Sequence, residues 1–345
     1  MEELDNSISI NNNFCTNLGY ASAIMKFHEE WKSESPFITV KTSGSTGTPK
    51  EMQLSKNAMR ISAQQTIDFF EVKPDQNLLM CLPVEFIAGK MIVVRAIVSK
   101  SNLVIGQSSS NPLLPFLGVK KNPPIHFAAF TPLQVSCILE DADTRDIFNS
   151  IKTIIIGGGE IPVTLEKKLI SLNKNIYATY GMTETITHIA VRKIDANQSK
   201  IYKTFKGINL GLDERNCLTI QATYLGNKPI ITNDIVEFEG PNEFRFLGRF
   251  DNVINSGGIK LHPEKIEGKI NEILEDAFFI HYKPDNELGQ KLVLVIENES
   301  PYDETTLGLL KNSLKDILEK YEIPKEIIFV QEFKRTNTGK IKRAL

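Results

Sequence analysis

Between residues 78 and 179 the chain repeats one arrangement: a short apolar run, a turn, then a helical pattern. Apolar runs stand at 78–82, 103–105, 125–130, 152–156 and 175–179. The stretches between them include 91–98, apolar apart from Arg95, then 133–140 opened by Thr131-Pro132, and 163–172 opened by Pro162. Strands separated by helices are joined by crossovers, so they pair in parallel and bury both faces under helices. The pattern therefore predicts an α/β domain with a mixed or parallel sheet flanked by helices. Residues 200–250 change to short strands and turns without a clear helix, which predicts a small β subdomain. After Asp251 come a Gly257-Gly258 turn, a helix over 262–274, strands over 277–282 and 292–296, a helix over 304–321 and a strand over 327–330. That is a small α+β domain, and the boundary falls between 1–250 and 251–345.

Upstream, 18–31 has helical spacing and leads into the strand chemistry of Phe37-Ile38-Thr39-Val40. A loop of Thr42, Ser43, Gly44, Ser45, Thr46, Gly47, Thr48, Pro49 and Lys50 follows. Small residues uncover backbone N–H groups, hydroxyls add donors and Lys50 adds a cation, a combination suited to a polyphosphate. It has neither the Walker spacing nor GxGxxG, and by itself serves equally as a Ser/Gly turn between two elements. Ser55 then caps a helix running to Glu71.

Composition removes several function classes. A net charge of −2 argues against a surface built for nucleic acid. Cys15, Cys81, Cys137 and Cys217 are scattered without a CxxC pair, which reads as reduced core thiols in a cytoplasmic protein and not as a zinc site. No leader pattern or long apolar run is present, so no stable membrane association is expected. His126, His188, His262 and His281 fit no His/carboxylate arrangement and read as structural.

Several loops fall at strand carboxyl ends, where open α/β sheets bind ligands. In order they are TSGSTGTPK, GGGE and YGMTET, followed by TND (232–234), GRFDNVINSGGIK (248–260) and TNTGK (336–340). From about Phe37 onward this series resembles the adenylate-forming superfamily of acyl-CoA synthetases, adenylation domains and luciferases. The resemblance implies that an acid is joined to AMP with loss of pyrophosphate, and that a thiol then displaces AMP. It places Thr42 to Lys50 on the ATP β- and γ-phosphates, Gly158, Gly159 and Tyr180 around adenine, and Thr183 on the α-phosphate. Glu184 would hold Mg²⁺, Asp234 and Arg249 the ribose, and Gly181 would line the acyl site. Lys340, in a mobile C-terminal domain, would be the catalytic lysine. Asp251 matches the hinge, and Gly257-Gly258 the tunnel for coenzyme A.

Read without the resemblance, Glu184 is also an exposed helix-start acid, Asp234 and Asp251 turn residues, and Lys340 part of a solvated basic tail. Two departures stand out: Asn233 replaces the usual Gly of a Thr-Gly-Asp motif, and Asn255 a usual Lys. Only about 36 residues precede the phosphate loop, a shortness that resembles the compact o-succinylbenzoate–CoA ligase subfamily. There Phe86 would gate the acyl site and Arg95 would meet the succinylbenzoate. An arginine in an apolar helix otherwise snorkels or pairs with an internal acid. The expected partners are ATP, Mg²⁺, coenzyme A and a small carboxylic acid. Another acyl or aryl acid, or loading of a carrier protein, are the alternative enzymatic readings; a non-catalytic nucleotide-binding domain is a third.

Overall fold

A computed structural model describes residues 10–11, 15, 17–41, 51–119, 122–335 and 341–343. The chain forms two compact units, one of Met1–Ile161, Lys168–Asn209 and Gln221–Ile230, the other of Pro162–Lys167, Leu210–Ile220 and Ile231–Leu345. Each is mixed α/β, as the sequence pattern predicts.

The first unit runs β1 (Ile10–Asn11), α1 (Leu18–Lys32), β2 (Phe37–Lys41), β3 (Glu51–Ser55), α2 (Lys56–Phe70), β4 (Asn77–Met80), α3 (Ile87–Ser99) and β5 (Asn102–Ile105). It continues through β6 (Phe127–Phe130), α4 (Pro132–Glu140), α5 (Ala142–Ser150), β7 (Thr153–Ile156), the C-terminal part of α6 (Val163–Ser171), β8 (Ile176–Gly181), β9 (His188–Lys193) and β10 (Ile201–Thr204). Its sheet has the order β1-β5-β4-β6-β7-β8-β9-β10. Pairing is parallel from β1 to β8, as expected of strands joined by crossovers, and antiparallel for β8/β9 and β9/β10. The order reverses between β4 and β6, because β5 lies on one side of β4 and β6 on the other. This is a topological switch point, whose carboxyl edge opens a crevice. Gln134 stitches that edge: its Nε2 donates to the carbonyls of Cys81 (3.1 Å) and Ser109 (3.0 Å). The same residue closes a capping box with Thr131 at the start of α4.

Burial explains why the runs become strands and the longer patterns helices. Leu78, Met80, Leu103, Ile105 and Phe127 from the sheet pack with Met59 and Ala63 of α2 and with Met91, Ile92 and Val94 of α3 in one core. Phe27 and Trp31 of α1 join it. β2 and β3 form a separate antiparallel pair, with Phe37 opposite Ser55 and Lys41 opposite Glu51, so the phosphate-loop sequence lies between paired strand ends. Helix α5 was not expected, because ADTRDIFNS is mostly polar. Its start is nevertheless written in the sequence: Asp141 accepts from the Thr144 N–H at 2.9 Å as an N-cap.

The second unit contains β11 (Asn209–Leu212), β12 (Cys217–Gln221), β13 (Ile230–Gly240) and β14 (Glu243–Arg249), in sheet order β14-β13-β12-β11. Then come β15 (Ile254–Ser256), β16 (Ile259–Leu261), α7 (Pro263–Ile270), β17 (Phe278–Asp285), β18 (Gly289–Glu297), α8 (Glu304–Ile317) and β19 (Glu326–Val330). These strands make a second sheet, β16-β15-β18-β17, with β19 parallel to β18. The helices end earlier than their sequence patterns suggest, at Ile270 instead of 274 and at Ile317 instead of 321. Leu274 and Leu318 remain buried in the core, so the apolar pattern outlasts the helix.

Candidate active site

Of the sequence-predicted residues of the first unit, Gly158, Gly159, Tyr180, Gly181, Thr183 and Glu184 lie at or just beyond the carboxyl ends of β7 and β8. The Thr179 hydroxyl donates to the Ile156 carbonyl at 3.2 Å and ties the two strand ends together. Beyond β7, Gly158 has φ +81°, a left-handed conformation that glycine adopts without strain. Gly158 and Gly159 are exposed. Tyr180 is half-buried, with its ring 6.1 Å from that of Tyr202 at a 62° tilt. Exposed glycine backbone and an aromatic face at adjoining strand ends suit a flat heteroaromatic ring.

A register shift separates Tyr180 from Gly181, which pairs with His188. A Cβ on Gly181 would come within 2.3 Å of the Thr187 carbonyl oxygen, so the tight return from β8 to β9 needs glycine. The loop between them is fixed by fully buried Thr185. Its Oγ1 accepts the Met182 N–H (2.9 Å) and shares its proton between the carbonyls of Met182 (3.0 Å) and Thr187 (2.7 Å). Ile186 sits at φ +70°, buried, and donates its N–H to the Thr183 carbonyl. Strain of this kind in a non-glycine residue costs on the order of 1–3 kcal/mol and is held by its surroundings. The loop thereby presents Thr183 half-buried and Glu184 exposed. Among the described residues no group of three or more His, Cys, Asp or Glu side chains is assembled. A Mg²⁺ carried mainly by phosphates and water needs only one such carboxylate.

Arg95 projects from α3 into the same region and is 2% exposed. Its Nη2 donates to Thr187 Oγ1 (3.3 Å) and lies 3.5 Å from His188 Nδ1. Its Nε is buried without an acceptor. Among the described residues no carboxylate pairs with it, so it neither snorkels nor joins an internal ion pair. Burial pushes the guanidinium down to about 9, which leaves it charged at neutral pH. Burial first, and then Arg95, hold His188 well below the ordinary imidazole value, so its ring is neutral. Phe86, the N-cap residue of α3, is half-buried at the mouth of that helix. Sequence reading took His188 as structural and did not single out Thr66 or Thr187. Ninety-three positions separate Arg95 from His188, and only the folded sheet and helix bring them together.

In the second unit, Asp234 of β13 stands opposite Arg249 of β14, with Nε 3.8 Å from Oδ1. Arg249 Nη2 also reaches Asp251 Oδ2 at 3.5 Å. Asn233 donates to that same oxygen at 2.9 Å while its own carbonyl accepts from Arg215 at 2.9 Å. The departure Asn233 thus ties Arg215 to Asp251, the carboxylate that Arg249 also reaches, a role no spacing rule signals. Gly257 and Gly258 both have positive φ, and the space where a Gly258 side chain would stand is open. Arg343 is fixed by a bidentate pair to Glu267 (2.7 and 2.6 Å), and Arg335 by one to Glu297 (2.7 and 2.5 Å). Thr42, Ser43, Gly44, Ser45, Thr46, Gly47 and Lys50, together with Lys340, lie outside the described residues.

The sequence profile of the AMP-binding enzymes matches residues 8–208. The crystal structure of an acyl-CoA synthetase (AMP-forming)/AMP-acid ligase II-like protein from Dyadobacter fermentans is 34% identical, covers 95% of this chain and 93% of its own, and superposes with a TM-score of 0.64. The 2-succinylbenzoate–CoA ligase of Lactococcus lactis is 25% identical over 91% of this chain and 71% of its own length. An o-succinylbenzoate CoA synthetase from Bacillus subtilis, bound to its acyl-adenylate intermediate, shares the fold at 19% identity, with a TM-score of 0.76 over 88% of this chain and 67% of its own. The profile covers more than half of the chain, and the Dyadobacter protein matches it nearly end to end. The chain belongs to the AMP-binding enzymes, the adenylate-forming family of acyl-CoA synthetases and AMP–acid ligases.

Proposed function

We propose that the protein is an acid–thiol ligase that converts o-succinylbenzoate, ATP and coenzyme A to o-succinylbenzoyl-CoA, AMP and pyrophosphate. In the first step a carboxylate oxygen attacks the α-phosphorus and pyrophosphate leaves. In the second the thiol attacks the acyl carbonyl and AMP leaves. Positioning and charge stabilisation dominate such phosphoryl chemistry. Thr42 to Lys50 cradle the β- and γ-phosphates, Thr183 bonds the α-phosphate and Glu184 offers Mg²⁺ a hard oxygen. Gly158, Gly159 and Tyr180 hold adenine, while Asp234 and Arg249 take the ribose hydroxyls. Lys340 bridges the acid and the α-phosphate, and the 251–345 domain swings about Asp251 to admit the thiol past Gly257 and Gly258.

One observation carries the choice of acid: Arg95 is a buried cation without a carboxylate partner among the described residues. An uncompensated buried charge is costly unless an anion completes it. o-Succinylbenzoate has two carboxylates, one activated and one left to meet such a cation; Gly181 and Phe86 would line the same pocket. Resemblance to the lactococcal ligase supports this reading.

Pyrophosphate release measured across a panel of carboxylic acids tests it, with coenzyme A added in a second series. Release is expected to be fastest with o-succinylbenzoate, and a thioester is expected on adding coenzyme A. Preference for a monocarboxylic acid would reassign the substrate, and adenylation without transfer to free coenzyme A would favour a carrier protein as acceptor.

A further inference from the structure

We propose that His188, oriented by Thr66, is a positioning residue that sets the Arg95 guanidinium for the second carboxylate of the acid, an inference that rests on the o-succinylbenzoate reading. The four side chains come from three elements: Thr66 from α2, Arg95 from α3, and Thr187 and His188 from the start of β9 and the residue before it. Thr66 and His188 are buried, at 0% and 5% exposure.

The Arg95 contact assigns one tautomer. Arg95 has only N–H donors, so with Nη2 at 3.5 Å and the Thr187 hydroxyl at 3.4 Å beside it, His188 Nδ1 serves as the unprotonated acceptor. The proton then sits on Nε2, 3.1 Å from Thr66 Oγ1. Thr66 accepts there and donates its own hydroxyl to the Ser62 carbonyl at 3.3 Å. Donor and acceptor then alternate along the whole chain from Arg95 to Ser62, whereas a proton on Nδ1 would turn to Thr187 and give up the Arg95 contact.

The chemistry of these partners matters more than their number. An Asp or Glu at position 188 would hold the guanidinium equally well but neutralise it. A neutral imidazole and the Thr187 hydroxyl hold Nη2 without consuming its charge. Nε is likewise buried without an acceptor, so no neighbouring group offsets the charge there. His188 is wedged in place by the Phe205 ring, 5.4 Å away and nearly edge-on at 68°. Specificity for a dicarboxylic acid then depends on a residue that need not touch the acid.

The test is a steady-state comparison of the full chain and its variants His188→Leu, His188→Gln, Thr66→Val and Arg95→Ala in pyrophosphate release. His188→Leu removes the acceptor and is expected to raise KM for o-succinylbenzoate about 10-fold, the effect of one charge-assisted hydrogen bond. KM for ATP and kcat should stay within about 2-fold. His188→Gln should recover most of the loss, because its Oε1 accepts from Arg95 and its Nε2 donates to Thr66. The double variant Arg95→Ala/His188→Leu should be no worse than Arg95→Ala alone, since two members of one unit do not add. A wild-type KM in His188→Leu beside an impaired Arg95→Ala would overturn the positioning role alone. A wild-type KM in both would overturn the substrate reading and this role together. Should the leucine variant fail to fold, ¹⁵N NMR of wild-type imidazoles decides: His188 is expected protonated on Nε2 only, and a proton on Nδ1 sinks the proposal.

Discussion

The Asn233 amide joins two arginine-bearing segments of the second unit: its nitrogen donates to Asp251 Oδ2 at 2.9 Å and its oxygen accepts from Arg215 Nη1 at 2.9 Å. Arg215 is itself held by Asp213 and by the Thr232 carbonyl. A glycine, the more usual residue at this point of the family motif, has no side chain with which to do this. Because Arg249 shares the same Asp251 oxygen, the tether also steadies the cation opposite Asp234.

Replacing Asn233 by Gly should therefore loosen the proposed ribose site. Its partners are a carboxylate and a guanidinium, but both bonds are exposed, which screens them to about 0.5–1.5 kcal/mol, so KM for ATP should rise roughly 2- to 10-fold. The melting temperature should barely move. ATP titration in pyrophosphate exchange measures the first, and an unchanged KM would leave Asn233 a surface turn residue.

The legible parts of the fold were those whose period is local. Leu78, Leu103, Phe127 and Ile154 announce buried strands through apolar runs, and Ser55 and Thr131 announce helix starts through their hydroxyls. The antiparallel return of β9 was not legible, because Gly181 and His188 signal a close approach only once Thr187 is known to face that glycine. The glycines and Tyr180 were found as a motif, and the sheet brings them to adjoining strand ends. Arg95 stood out because it interrupts an apolar run. Its surroundings did not, since Thr66, Thr187 and His188 are ordinary residues until tertiary packing aligns them.

Acid should expose the neutral state of His188. Its value in the fold lies well below the unfolded value of about 6.5, so the unfolded chain binds a proton that the folded chain refuses. Stability is then full above about pH 6.5 and falls as pH drops from there toward the lower folded value. The slope is at most about 1.4 kcal/mol per pH unit for one group. Melting curves of wild type and His188→Gln between pH 7.5 and about pH 5 check this: glutamine should flatten part of the decline. A parallel decline in both would assign the acid sensitivity elsewhere.

Lys50 is the last residue of the sequence stretch between β2 and β3. In the proposed role of phosphate ligand it would act on ATP and not on the acid. Lys50→Ala should raise KM for ATP roughly 10- to 150-fold, the range for losing a charge-assisted hydrogen bond, and leave KM for the acid within about 2-fold. Normal ATP kinetics in the variant would return the loop to a Ser/Gly turn.

On the proposed mechanism, Lys340 and a hinge at Asp251 divide the two half-reactions. If the lysine bridges the acid and the α-phosphate only during adenylation, Lys340→Ala should lose acyl-adenylate formation by roughly 10²-fold or more, as for removal of a preorganised charge donor. Supplied with preformed acyl-adenylate and coenzyme A, the same variant should form thioester at near the wild-type rate. Equal loss in both assays would remove the division of labour, and with it the reason for a moving domain.

On the proposed function, Arg95 is the residue that would separate o-succinylbenzoate from other acids. The guanidinium is buried, retains its charge, and is held by neutral acceptors, so an anionic ligand group is the partner that would complete it. Loss of a charge-assisted hydrogen bond costs about 1.5–3 kcal/mol, or roughly 10- to 150-fold in kcat/KM. Arg95→Ala should show that loss with o-succinylbenzoate while KM for ATP stays near wild type. Benzoate, which offers no second carboxylate, should suffer much less if it is used at all. Stability gives an independent reading. Removing a buried charge that lacks a carboxylate partner relieves its desolvation, so the melting temperature should hold or rise despite the cavity left behind. An equal kinetic loss with both acids, or a large fall in melting temperature, would make Arg95 a structural residue and reopen the identity of the acid.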